Sequence, residues 1–313
     1  IPQLEHVYQI YSGDSVDPED QFAGVPLGMP PLLAGESLDD ALIVPVYNQY
    51  VERFFIPQQN GEELVLDEQG GIISTLPSYF DLLPFEWLAG NPTVAFADPH
   101  HIVLTERRAA LYFPTEDPST LIGRSIRADT VTYLISGIVK NLDFPSSFQD
   151  EVFLPISEKE WHDHSWHSMN SNHTLYVRTT NPTSLNHLLG LAQQRYDEVA
   201  AKDHAQYGST IAFGTAPLAE KHFSPSLDTK GLATEKSTLY GLMAIGGFLL
   251  LLACINYINL STAQVPQRAK EIGIRKTLGA HPGYLTINFL TETACIALFA
   301  LILSWPLTRL FNQ

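Results

Sequence analysis

Three groups of residues in this chain could do chemistry, and each points to a different kind. His162, His164 and His167 lie within Trp161-His162-Asp163-His164-Ser165-Trp166-His167, with His173 close behind. A His-x-His pair plus a third imidazole can ligate Zn²⁺ or Cu²⁺. Yet Ser157 to Asn172 is polar and loop-like, and no cysteine or paired glutamate completes a strict ligand motif. The expectation is a solvated surface loop with no bound metal. A second group, Arg268, Lys270, Glu271, Arg275 and Lys276, is strongly basic and carries Ile272, Ile274 and Leu278 as apolar anchors. Such a segment can sit as a short helix in a groove on another protein, or merely contact lipid headgroups. The third is a lone carboxylate, Glu292, eight residues into an apolar run that opens at Tyr284. By insertion scales a carboxylate at mid-bilayer costs about 2.5–3.5 kcal/mol, so it should face a polar partner. A hydrogen bond to a neighbouring helix, through Thr291 or Asn288, is expected ahead of an ion relay.

Nucleotide and hydrolytic chemistry have no such support. No Gly-x-x-x-x-Gly-Lys-Ser/Thr phosphate loop and no Gly-x-Ser-x-Gly elbow occur in the sequence. Acidic pairs such as Asp39-Asp40, Glu62-Glu63 and Asp150-Glu151 read as ordinary solvated charges. No enzyme activity and no cofactor are expected.

The elements that position these groups begin with two apolar runs. Thr238 to Val265 has no charged residue, and Tyr284 to Thr308 has only Glu292. About twenty helical residues cross the hydrocarbon core of a bilayer, where backbone amides must be paired internally. Transmembrane helices are therefore predicted at 237–260 and 284–310, joined by a loop at 261–283. That loop is basic, which places it in the cytoplasm by the positive-inside rule. Residues 1 to 237 hold 13 basic against 32 acidic residues, a net −19, and belong on the other side. An acidic exterior domain repels nucleic acid and anionic lipid, so nucleic acid is excluded as a partner. Cys254 and Cys295 both lie inside the apolar runs, so the exterior domain has no disulfide. The chain does not begin with Met, and export of the acidic domain is expected to rest on a helix upstream of Ile1.

Within the exterior domain (1–236), alternation predicts strands at Leu4–Ser12, Tyr47–Ile56 and Glu63–Leu66, the last two around a turn at Asn60-Gly61. Gly24 to Gly35 reads as a turn region, and Ser78 to Leu88 as an amphipathic helix with Phe80, Leu83 and Trp87 on one face. Further strands are predicted at His101–Thr105, Ile122–Arg127, Thr130–Asn141, Glu151–Pro155, His173–Thr179 and Thr210–Ala216. Helices are predicted at Glu106–Phe113 and from Thr183 to about His204. The pattern is an α+β fold of two lobes, a β-rich lobe at about 91–170 inserted in an α/β lobe.

These residues carry a resemblance. Asn256-Tyr257-Ile258-Asn259-Leu260-Ser261-Thr262-Ala263, followed by Gln267-Arg268-Ala269-Lys270-Glu271-Ile272-Gly273-Ile274-Arg275-Lys276-Thr277-Leu278-Gly279-Ala280, resembles the membrane end of FtsX/MacB-type ABC transporter permeases. Ordered exterior matches precede it: Leu76-Pro77-Ser78-Tyr79-Phe80, Leu88-Ala89-Gly90, Val103-Leu104-Thr105-Glu106, Ile122-Gly123-Arg124-Ser125-Ile126, Gly137-Ile138-Val139-Lys140 and Leu154-Pro155-Ile156. The resemblance implies a permease subunit in a bacterial inner membrane with its large domain in the periplasm. It implies a fragment that starts after a first transmembrane helix and stops after a third. It also implies a separate cytoplasmic ATPase docked on the basic loop, a homo- or heterodimer of permeases, and a periplasmic partner protein. In the MacB-like branch the spans are thought to transmit motion rather than conduct substrate. The competing reading is a membrane-anchored periplasmic metal- or ligand-binding sensor. A membrane-anchored hydrolase would need a nucleophile and base that the sequence does not display.

Overall fold

The computed structural model describes residues 4–311 apart from 18–19, 37, 59–60, 68, 115, 145, 168, 208–209, 230, 232 and 280. Asn60 of the expected turn and Ala280 at the end of the basic motif thus lie outside the described residues. The chain divides into two units, Ile1–Lys236 and Ser237–Gln313.

Among the described residues, the first unit is built on one sheet of thirteen strands. They are β1 (Val7–Asp14), β2 (Gln21–Phe22), β3 (Ala41–Asn48), β4 (Arg53–Pro57), β5 (Glu63–Asp67), β6 (Ile72–Thr75) and β7 (Trp87–Ala89). The rest are β8 (His101–Thr105), β9 (Ser125–Ala128), β10 (Val131–Val139), β11 (Val152–Pro155), β12 (His173–Thr179) and β13 (Ile211–Pro217). The order is β13-β1-β12-β3-β6-β11-β8-β10-β9-β4-β5, with β2 added to β1 and β7 to β10. The first and last strands of this unit meet: β1 lies between β12 and β13, antiparallel to both. At the other end β4, from early in the chain, pairs with β9.

Three clusters hold the sheet. At the β13 end, the long helix of Pro182–Tyr207 puts Leu185, Leu188, Ala192, Tyr196 and Ala200 against Ile10, Leu175, Val177 and Phe213. The spacing of those five residues is the 3.6-residue helical repeat, which lays them on one face. At the β4 end, Phe54, Ile102, Leu104, Tyr112, Ile126 and Ile135 pack together. Between them lies an aromatic cluster of Tyr79, Phe80, Phe148, Phe153 and Tyr176. Each such side chain contributes about 1.5–3 kcal/mol by leaving water.

Several local expectations are corrected. Helix α1 (Met29–Ala34) occupies the stretch read as turns, because Pro30 sits in its first turn, where a missing N–H costs nothing. Helix α2 stops at Leu82 after starting at Ser78. Pro84 forces Leu83 out of the helical region, to φ −112° and ψ 135°, and Trp87 passes to strand β7. Leu4–His6 is a single 3₁₀ turn, and the strand begins at Val7. Helices α3 (Pro92–Ala95) and α4 (Glu106–Tyr112) follow, capped by the side chains of Asn91 and Thr105. The polar stretch after Pro155 contains α5 (Glu158–Trp161), whose capping box pairs Ser157 and Glu160 reciprocally. The long helix of Pro182–Tyr207 is α6.

The second unit has three helices among the described residues: α7 (Lys236–Ala263), α8 (Val265–Thr277) and α9 (Pro282–Phe311). At 28 and 30 residues, α7 and α9 are long and apolar enough to cross a membrane. Their large apolar side chains, Phe248, Leu250, Phe299 and Leu301 among them, are exposed all round, as in helices meant for lipid. Helix α8 ends where Gly279 adopts φ +93° and donates its N–H to Lys276 O at 3.0 Å.

Candidate functional site

The basic segment is a helix with two different faces. At 100° per residue, Arg268, Ile272 and Arg275 fall on one side, and Lys270 and Ile274 on the other. Arg268 reaches Glu292 of α9 with both terminal nitrogens, Nη1 to Oε2 and Nη2 to Oε1, each at 3.4 Å. Nη2 also donates to Gln264 Oε1 at 3.2 Å. The Tyr257 hydroxyl of α7 lies 3.0 Å from Thr293 Oγ1 of α9. A cavity of about 380 Å³ is framed by Tyr257, Ser261, Arg268, Ile272 and Thr293. The partner of Glu292 is therefore Arg268, not the expected Thr291 or Asn288. Thr291 turns its hydroxyl back to Ile287 O at 2.8 Å.

The outer face is open. Lys270, Ile274, Lys276 and Leu278 are exposed, Leu278 at 82%. Glu271 is exposed too and pairs with Arg275 one turn on, which leaves Lys270 as the cation of this face; Lys276, exposed, lies about 80° round the helix from Arg268 instead. The eight residues grouped by sequence thus divide: Arg268 and Ile272 border the cavity beside α9, and Lys270, Ile274, Lys276 and Leu278 are exposed.

The histidine-rich loop is pinned through Trp166. Trp166, 4% exposed, packs on Gly28, where a Cβ would lie 2.6 Å from the indole nitrogen. His162 places Nδ1 2.8 Å from its own helix at Glu158 O. Among the described residues, no three His, Cys, Asp or Glu side chains gather as a metal would require, and His162, His164 and His167 do not converge.

Two groups that the sequence did not single out shape the acidic domain. Asp150 and Glu151 are not solvated charges. Asp150 is 4% exposed, and its Oδ2 lies 3.5 Å from the Tyr79 hydroxyl. Burial, with Asp150 adding to it, pushes the Tyr79 phenol well above its ordinary value, so it stays a donor. Glu151 lies between Arg107 Nε at 2.6 Å and Arg108 Nη2 at 2.9 Å. The second group is Lys221, on the 3₁₀ turn Leu218–Phe223 that follows β13. Its Nζ donates to Tyr176 Oη at 2.5 Å and lies over the rings of Phe148 and Tyr176. Nearby, Gln9 Nε2 donates to Leu227 O at 3.1 Å. The segment leading toward α7 is thereby tied to the sheet. A lone lysine in Leu218-Ala219-Glu220-Lys221 gives no sequence signal for this.

Residues 2–193 match the MacB-like periplasmic core domain, and residues 243–313 match the FtsX-like permease C-terminal region. The chain belongs to the MacB/FtsX-like family of ABC transporter permeases. Among relatives, the ABC transporter permease YtrF of Bacillus subtilis (strain 168) is 33% identical over 76 residues, 23% of this chain. That stretch is 17% of the length of YtrF. Among solved structures, a domain of a putative permease protein from Porphyromonas gingivalis aligns with a TM-score of 0.52 at 17% identity. The alignment covers 69% of this chain and 92% of that one, and it shows a shared fold. The periplasmic region of MacB from Actinobacillus actinomycetemcomitans aligns with a TM-score of 0.43 at 13% identity, over 68% and 89%. This chain is a mixed α/β domain similar to the MacB type, followed by two helices long and apolar enough to cross a membrane.

Proposed function

We propose that this permease is the membrane subunit of a mechanotransmission complex, driven by a separate cytoplasmic ATPase that docks on the outer face of α8. It works as a dimer in a bacterial inner membrane, with residues 1–236 in the periplasm, and serves export or transmembrane signalling. The observation that carries this reading is the two-faced α8. One face offers Lys270, with Ile274 and Leu278 as apolar anchors, to a partner, as a helix seated in a groove requires. The other is linked to α9 through Arg268 and Glu292, so a push on α8 is delivered to a membrane helix. The net −19 of the exterior residues against the basic α8 supports the orientation.

The test is site-specific photo-crosslinking in native membranes, with a benzoylphenylalanine at position 274 or at position 272. Position 274 should crosslink to a protein with a nucleotide-binding loop, and position 272 should not. Equal capture from both positions, or capture of no ATPase from position 274, would overturn the assignment.

A further inference from the structure

A cleft of about 420 Å³ opens beside the loop that carries the chain from β10 to β11. Phe85, Phe144 and Phe148 supply its apolar wall, and Arg107, Asn141 and Glu151 its polar one. That volume is in the range of small-molecule sites, which are usually largely pre-formed. This one is set by backbone. Gly71, at φ +73°, accepts from the N–H groups of Glu151 at 2.8 Å and Val152 at 3.0 Å. Arg108, 6% exposed, is fixed from behind by Gly70 O at 2.7 Å and Gln69 Oε1 at 2.8 Å.

The charges at the cleft are arranged so that donors face outward. Both oxygens of Glu151 are engaged by Arg107 and Arg108, and Asp150 is almost sealed from solvent. Arg107 is different. Its side chain is 73% exposed, and only Nε is occupied by Glu151, which leaves the guanidinium end at the cleft. The Asn141 Oδ1 is taken by the Arg107 backbone N–H at 2.9 Å, so Asn141 offers its NH₂ donors. Donors beside an aromatic wall suit an anionic head on an apolar body. The rest of the domain is strongly acidic and repels anions, so non-specific attraction does not account for such a site.

We propose that this cleft binds an apolar molecule with an anionic head, the carboxylate or phosphate lying on Arg107 and Asn141 and the body on the three phenylalanines. Phe148 lines the cleft, and Lys221 Nζ lies over the same ring at 5.6 Å to its centre. An occupant therefore bears on the turn that ties down the segment before α7. The proposal does not depend on ATPase docking and is read without ATP.

The test is saturation-transfer NMR on the full chain in neutral-lipid nanodiscs, with N-acetylphenylalanine, phenyl phosphate and the uncharged N-acetylphenylalaninamide as probes. The two anions should bind at least about tenfold more tightly than the amide, as expected for a charge-assisted contact. Arg107→Gln should erase that difference, and Phe144→Ala should weaken all three. The tighter of the two anions identifies the head group. Amide binding as tight as anion binding, an unchanged preference in Arg107→Gln, or no binding up to about 10 mM would overturn the proposal.

Discussion

Arg268 and Glu292 face each other edge to edge across α8 and α9, with both nitrogen–oxygen separations at 3.4 Å. They lie 24 positions apart in sequence, on helices joined by the turn at Gly279. The pair answers how a carboxylate can sit inside an apolar run: it is paired with a cation from the neighbouring basic helix. Losing either partner strands the other charge. Arg268→Ala and Glu292→Ala should each cost about 1–3 kcal/mol, and the double variant less than their sum. The check is a double-mutant cycle on unfolding in bicelles, where a coupling energy indistinguishable from zero would show the contact to be incidental.

Gly90 makes a second prediction. It holds φ +79°, and a Cβ there would lie 2.4 Å from Ser136 O. Gly61 holds a similar φ of +84° with nothing within 4 Å, so it isolates the backbone cost, about 1 kcal/mol. Gly90→Ala should therefore destabilise the domain by about 2 kcal/mol or more, and Gly61→Ala by clearly less. Equal shifts in the urea midpoint for the two variants would refute the steric argument.

What could be read from the sequence was what periodicity and local chemistry encode. Strand β12 and helix α6 were visible because Leu175 and Val177 alternate and Leu188, Ala192 and Tyr196 recur at helical spacing. The glycines within the family-like motifs have a physical reason in the fold: Gly90 passes against Ser136, and a Cβ on Gly137 would meet Trp87 at 2.4 Å. Trp87 was misplaced because Pro84 outweighs an amphipathic pattern. Helix α5 was missed although Ser157-Glu158-Lys159-Glu160 spells its capping box, since nothing apolar repeats there. The basic helix was visible as a charge run, but its division into two faces was not, because the register depends on how α7 and α9 flank it. The Arg107 cleft joins residues from either side of β9 and β10, a proximity no local pattern carries.

His173 gives a pH prediction. It is half-buried against Tyr47, with ring centres 4.7 Å apart and no hydrogen-bond partner for Nδ1. Burial lowers its pKa below the ordinary histidine value, against the opposing pull of Glu160 and Asp163. A depressed folded-state pKa means that the unfolded chain takes up the proton first, so stability falls as pH drops from the ordinary histidine range through the folded value. His173→Phe keeps the ring contact and removes the proton site. Between pH 7.5 and 5 the wild type should lose more thermal stability than this variant. Parallel pH profiles would exclude His173 as a contributor.

The last prediction concerns Lys221, which is 8% exposed and donates to Tyr176 Oη at 2.5 Å. A buried ammonium needs hydrogen bonds or rings beneath it, and Lys221 has both kinds of contact. The turn it sits on continues into Pro225–Leu227, where Leu227 is buried and Leu227 N–H donates to Ser224 O at 3.0 Å. Lys221 is thus a fastener between the sheet and the segment before α7. Lys221→Met retains the aliphatic stem but removes the hydrogen bond, so the sheet should stay folded while this segment opens more readily. A loss of about 1 kcal/mol locally corresponds to about fivefold faster hydrogen exchange, expected at the amides of Ser224 and Leu227 and not in β12. Glu220→Ala, on the same turn but exposed, should leave both regions unchanged. Unaltered exchange at Ser224 and Leu227 in Lys221→Met would mean that the packing of Leu218 and Leu227 and the Gln9 hydrogen bond hold the segment without Lys221.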